Sequence, residues 1–163
     1  SSDGVHSNGY SLVRKLVDLS GLEWEAPCPW SDTSLGADLL TPTRLYVKQA
    51  LAAVSAGGVH ALAHITGGGL TENLPRVLPK GAGVQIDLAT WSLPPVFRWM
   101  AKTGGISEAE MLKTFNCGIG MILVVAPERA DALTALLVGL DENVTCIGHV
   151  TETPGVAYQG ALL

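Results

Sequence analysis

Apolar residues recur along this chain with two different periods, and the alternation between them predicts helices and strands that interleave from end to end. Between Asn8 and Leu19, Tyr10, Val13, Leu16 and Val17 fall at helical spacing; Ser7 or Asn8 can cap the start, and Gly21 can end it. The stretch GLEWEAPCPWSDTSLGADLL is rich in turn signals and reads as a loop with a short helix from Leu35 to Leu39. TRLYVK predicts a brief strand, and QALAAVSAGG a helix closed by Gly57 and Gly58. VHALAHI is apolar and short enough for a buried strand, although its ALA leaves a helical turn open; a glycine loop and a helix through Val77 follow. Val84, Ile86 and Leu88 alternate with Gln85, Asp87 and Ala89, the period of a strand with one buried face, which leaves Asp87 pointing to solvent. PPVFRWMAKTG and SEAEMLKTF predict two helices, the second opened by a capping box of Ser107 and Glu110.

The most apolar run, GMILVVA, reads as a central strand, and PERADALTALLVGL as a helix that tolerates Pro127 in its first turn. NVTCIGHVTE and GVAYQG are late strands joined too tightly for a crossover. The pattern therefore predicts an α/β fold: one mixed sheet layered with helices, in a single domain over residues 1–163. No repeat, low-complexity tract or linker divides it.

Composition narrows the function classes. With 47% hydrophobic and 15% charged residues in 163, the chain can bury a substantial core. Its longest uncharged apolar run is far below the roughly 20 residues that span a bilayer, so no membrane partner is expected. The formal charge of −5 and scattered Lys and Arg argue against a nucleic-acid surface. Three widely spaced cysteines, Cys28, Cys117 and Cys146, form neither a disulfide framework nor a metal pair, which favours a reducing, cytoplasmic setting. The first residue is not Met, which reads as processing or truncation.

HITGGGLTENLP, residues 64–75, then raises the question of function. Gly67, Gly68 and Gly69 sit between a strand and a helix start, where bare backbone N–H groups gather and an anion such as phosphate can approach the main chain. The spacing matches neither GxxxxGK[ST] nor GxGxxG, so a glycine turn needed only for tight strand-to-helix packing stands beside the phosphate reading. Thr66, Thr71 and Asn73 can bond a ligand or cap the helix. VHSNGYS makes a second offer: His6, Ser7 and Asn8 lie next to a helix start, as ligand contacts or as plain caps. His60 and His64 stand four apart but have no third metal ligand at a recognisable spacing, so no metal site is expected. Asn116 can meet a ligand amide or serve as a left-handed helix cap, and Cys117 has no local base to activate it.

SSDGVHSNGYSLVRKL, LLTPTRLYVK, HALAHITGGGLTENLPRVLP, TFNCGIGMILVV and IGHV, in this order, resemble the phosphoribosylformylglycinamidine cyclo-ligases, or aminoimidazole ribonucleotide synthetases. The resemblance runs along nearly the whole chain and corresponds to the C-terminal half of that family's protein. It implies the layered α/β fold of a superfamily that also holds formylglycinamide ribonucleotide amidotransferase, selenophosphate synthetase and thiamine monophosphate kinase. It implies ATP-dependent closure of formylglycinamidine ribonucleotide to aminoimidazole ribonucleotide in purine biosynthesis: ATP phosphorylates the formamide oxygen, and an internal nitrogen displaces phosphate.

On that resemblance, His64 positions or protonates the activated oxygen and the Gly67 to Gly69 amides bind phosphate. His6, Ser7, Asn8, Thr66, Asn73 and Asn116 complete the substrate site. ATP and Mg2+ are then held mostly by an N-terminal half outside this sequence, which also supplies the dimer interface; the expected partners are that half and a second copy of the full-length enzyme. The 163 residues alone are expected to be inactive. A non-catalytic module that binds a phosphorylated ligand, and another ATP-dependent enzyme of the superfamily, are the alternative readings.

Overall fold

The alternation of elements is realised with one large change: the strands build two sheets. In a computed structural model that describes residues 1–163, the elements are α1 (Tyr10–Ser20), α2 (Leu35–Leu39), α3 (Val47–Ala56), β1 (Val59–His64), α4 (Gly69–Asn73), β2 (Gly83–Asp87), α5 (Pro95–Gly104), α6 (Glu108–Thr114), β3 (Met121–Val125), α7 (Ala130–Val138), β4 (Gly148–Thr151) and β5 (Gly155–Gln159). β1 and β3 form an antiparallel pair, with Leu62 opposite Leu123 and His64 opposite Met121. β2 is the centre of a separate mixed sheet, antiparallel to β4 on one side and parallel to β5 on the other. The tight link between β4 and β5 is real, yet the two strands do not pair. Residues 152–154 cross the end of β2 instead, over Gly83, where a Cβ would overlap the Thr153 carbonyl oxygen and lie 2.5 Å from that of Gly155.

β3 is consequently not a central strand. All five of its residues are half-buried, because α3 and α7 cover one face through Ala53, Leu133 and Leu137, while Ile122 packs toward the main core. An apolar run reports that both faces of a strand are covered; it carries no information on whether both edges are paired. The expected strand at TRLYVK is absent too. Residues 43–46 are irregular and α3 already begins at Val47; with Leu45 83% exposed and no neighbouring strand to pair with, a two-residue alternation is not enough to make one.

The main core joins α1, α5 and α6 to β2 and the start of α4, around Leu16, Ile65, Leu70, Phe97, Met100 and Phe115. Each such side chain contributes about 2 kcal/mol through burial. Phe97 and Phe115 meet with ring centroids 6.1 Å apart at 51°. Ser107 caps α6 by accepting the Glu110 N–H at 3.3 Å, as its sequence predicts. Asp87, rather than facing solvent alone, accepts the Ala89 N–H at 3.0 Å and so turns the chain out of β2. The helix expected through Val77 stops at Asn73, because Pro75 has no N–H with which to extend it. No helix is long and apolar enough to cross a membrane.

Candidate functional site

Three segments converge beside the start of α3: residues 3–8, residues 43–46 and the loop that leaves β1. The first is fastened from below by Asn116. Its Nδ2 donates to the carbonyls of Gly4 (2.9 Å) and Val5 (3.4 Å), and its Oδ1 accepts from Ser2 Oγ (2.7 Å) and the Gly118 N–H (2.9 Å). Buried to 3% exposure, Asn116 has no hydrogen-bonding capacity left for a ligand and acts here as an anchor. The left-handed residue after α6 is Cys117, at φ 50°, rather than Asn116.

Anchored this way, the segment presents its polar residues. Neither Ser7 nor Asn8 caps α1; the N-cap is Gly9, left-handed at φ 74°, with no side-chain bond. Ser7 Oγ instead lies 3.0 Å from Thr43 Oγ1, and Asn8 Oδ1 reaches the glycine loop at Gly67. His6 is buried, at φ 59°. Its Nε2 accepts the Asp3 N–H at 3.2 Å, so in the neutral ring the proton sits on Nδ1. That Nδ1 is buried and has no partner in the protein. Burial holds the His6 pKa below its ordinary value of 6.5; Asp3 opposes the depression and His64 adds to it. His6 is thus a neutral ring with one unspent donor.

The glycine loop divides into a packed end and an open end. A Cβ on Gly69 would overlap the Leu112 carbonyl oxygen and lie 2.8 Å from that of Phe115, so the absent side chain admits the end of α6. The Gly69 N–H is spent on the Thr66 carbonyl at 3.0 Å and is not free for phosphate, contrary to the sequence expectation. Gly68, at φ 97°, faces Glu72. Gly67 is exposed, and a Cβ there would meet only Asn8 Oδ1, at 3.3 Å. The N–H groups of Gly67 and Gly68 donate to no protein acceptor.

Asn73 holds this shape from within: its Nδ2 is shared among the carbonyls of Thr66 (3.3 Å), Gly67 (3.2 Å) and Gly69 (2.8 Å). Its Oδ1 accepts from Thr66 Oγ1 and from Arg76, both at 3.3 Å. Asn73 and Thr66 therefore shape the loop. Thr71 is tied to Tyr158, hydroxyl to hydroxyl at 2.9 Å, and to the Leu112 carbonyl. α4 has only five residues, so its dipole adds little to the free amides.

His64 ends β1 with its side chain exposed. It sits edge-on to Tyr46, with ring centroids 5.7 Å apart, and the same phenol lies 6.3 Å from the His6 ring. Together with Thr43, Arg44 and Met121, His64 and Tyr46 line a pocket of about 390 Å³. Arg44 is already paired with Asp3 at 2.8 Å and Glu142 at 3.0 Å. A ligand in this pocket would meet the His64 imidazole, the Tyr46 ring and the apolar Leu45, Val47, Leu51 and Met121, with Arg44 already paired. Tyr46 and its neighbour Gly120 escape a motif search, because their meaning lies in a contact between residues 74 positions apart; the signal available was the lone aromatic in TRLYVK, which an alternating strand pattern absorbed.

A second cavity, about 1270 Å³, lies between the two sheets and shares Tyr46 and Met121 with the first; it is mainly apolar and none of the sequence-predicted site residues lines it. His60 opens into that cavity, at the far end of β1 from His64. Cys117 is no nucleophile: burial, with Glu108 adding, pushes its thiol up to about 12.

The chain belongs to the family of AIR synthase related proteins, whose C-terminal domain pattern matches residues 1–160. Its fold is similar to that of thiamine-monophosphate kinase from Stenotrophomonas maltophilia, with a TM-score of 0.66 at 19% identity over 99% of this chain and 50% of that one. It is also similar to HypE of E. coli, a hydrogenase maturation protein, with a TM-score of 0.61 at 20% identity over 98% of this chain and 47% of that one. The chain therefore spans about half the length of these solved structures.

Proposed function

We propose that this chain is the C-terminal half of a phosphoribosylformylglycinamidine cyclo-ligase, and that it supplies the substrate side of ATP-dependent ring closure. The observation that carries the reading is the pair of unspent Gly67 and Gly68 N–H groups in the loop that directly follows exposed His64. Such groups suit the ribose phosphate of the substrate and the phosphate that leaves it.

In this reading His64 positions or protonates the formamide oxygen that ATP phosphorylates. The substrate's own amidine nitrogen then attacks the activated carbon, the carbon–oxygen bond breaks, phosphate departs, and the nitrogen's proton passes to solvent or base. Holding the tethered nitrogen near the carbon makes the step effectively unimolecular. No group of three or more His, Cys, Asp or Glu side chains converges in the chain to hold a metal ion by itself. ATP and metal binding belong to an N-terminal half, and the 163 residues alone bind without turning over.

The comparisons favour one competing reading, a related ATP-dependent member of the same superfamily, since the solved relatives are a kinase and a hydrogenase maturation protein. Amide chemical shifts measured while adding formylglycinamidine ribonucleotide, thiamine monophosphate and inorganic phosphate separate the two. Perturbation of Gly67, Gly68 and His6 by the formylglycinamidine ribonucleotide, at concentrations where thiamine monophosphate does nothing, is the expected result. The reverse preference assigns the chain to a sibling enzyme, and no shift with any of the three refutes the phosphate site.

A further inference from the structure

Tyr46 packs against two histidines that arrive from different parts of the chain. His6 comes from the segment anchored by Asn116, His64 from the end of β1, and the phenol neighbours both, with centroid distances of 6.3 and 5.7 Å and interplanar angles of 59° and 63°. The ring is buried to 7% exposure. Its place is reserved by Gly120, just before β3: a Cβ there would overlap the Tyr46 hydroxyl and come within 3.0 Å of His6 Cε1. The hydroxyl donates to the Ser1 carbonyl at 2.7 Å. Burial raises the phenol's pKa, so the group stays protonated and cannot serve as a base. What it offers its neighbours is a rigid aromatic body.

We infer that Tyr46 is a positioning residue: its ring sets the separation and orientation of His6 and His64 and keeps the His6 imidazole dry, with Gly120 vacated to seat it. The two imidazoles then hold fixed positions about one phenol. The charges that His6 feels come from Asp3, His64, the chain N-terminus and Arg44, so a movement of the ring alters its titration through exposure as well as through distance to these groups. Only the phosphate arm of the test below rests on the proposed function.

The experiment is side-chain 1H–15N NMR of the two histidines from about pH 5 to about pH 8, with and without inorganic phosphate, in the unaltered chain and in Tyr46→Phe, Tyr46→Leu and Gly120→Ala. Backbone amides of Gly83 to Asp87, in the other sheet, report whether each variant is folded. Tyr46→Phe should keep the Nδ1–H tautomer of His6, both midpoints, and phosphate affinity within about twofold. Tyr46→Leu should move the His6 midpoint up toward its ordinary value and weaken phosphate about tenfold, the loss of one hydrogen bond to a charged group. Gly120→Ala should do the same by expelling the ring.

A folded Tyr46→Leu chain in which both histidines titrate as before overturns the inference. If Tyr46→Leu does not fold, Tyr46→Phe decides: unchanged titrations assign the effect to the ring, and a shifted His6 midpoint assigns it to the hydroxyl and overturns the proposal. If the unaltered chain ignores phosphate, the proposed function fails while the phosphate-free titrations still decide the role of Tyr46.

Discussion

Gly67 and Gly69 stand two residues apart in one loop and meet opposite surroundings. Gly69 is buried against the carbonyl oxygens that end α6, its φ is 55° and its N–H is already bonded; Gly67 is exposed, outside the left-handed region, with a free N–H and only Asn8 nearby. The same letter thus answers two demands, close packing at one end of the loop and open backbone at the other. The packed end fixes where the open end stands, which is how a flexible residue comes to present an amide in a defined place. The largest expected effect tests the packed end. Gly69→Ala drives a methyl into main-chain carbonyls that no side-chain rotation can clear, and should cost about 3 kcal/mol or more in urea unfolding, or abolish folding. Wild-type stability in that variant would remove the distinction between the two ends.

Next in size is Asn73, which braces both ends by sharing Nδ2 among three loop carbonyls. Asn73→Ala leaves those acceptors to find water or go unpaired, and a loss of about 2 to 3 kcal/mol is expected. Hydrogen exchange sharpens the prediction. The Gly69 N–H, bonded to Thr66 O, should lose protection in the variant, and continued slow exchange would show that packing against α6 alone shapes the loop.

The contrast between these glycines explains what was legible beforehand. GGG after an apolar strand signals that side chains are unwelcome, and both reasons offered for it, packing and ligand approach, hold at different residues. Spacing could not apportion them, because the packing partner is the Leu112 carbonyl, 43 residues away. Local features that depend on nearest neighbours were readable: the α6 cap at Ser107, the αL end of α1 at Gly21, the one-faced strand around Ile86. Features set by pairing were not. The pattern predicts six strands in one sheet; five form, and they fold as two, since hydrophobic alternation describes faces while sheet membership is decided at edges. For the same reason Ser7 and Asn8, good caps by residue type, leave that role to Gly9 and turn toward Thr43 and Gly67.

A pH dependence separates the buried histidine from the exposed one. The folded-state pKa of His6 is depressed, chiefly by burial, so below its ordinary value the unfolded chain binds the proton more readily. Stability must then fall as pH drops below about 6.5, until the folded-state pKa is passed. His6→Asn, a residue that tolerates the left-handed backbone at this site, should flatten that slope in unfolding measured at several pH values. His64→Asn removes only one of the lesser causes of the His6 depression and should reduce the slope less than His6→Asn does; equal effects from both would mean that burial is not the chief cause.

The smallest change in stability belongs to Gly67→Ala, and it bears most directly on function. The new methyl meets a movable side-chain oxygen 3.3 Å away and the backbone needs no left-handed conformation, so unfolding should shift by no more than about 0.5 kcal/mol. Yet that methyl stands beside the free N–H groups of Gly67 and Gly68, and inorganic phosphate affinity should fall about tenfold by NMR titration, because an anion can no longer reach the main chain at hydrogen-bonding distance. A variant that stays stable and loses phosphate assigns the open end to a ligand. One that loses stability as Gly69→Ala does makes both ends packing, and one that keeps phosphate moves the anion away from the loop toward the His6 Nδ1–H, which the same titration registers as an undiminished shift of the His6 ring.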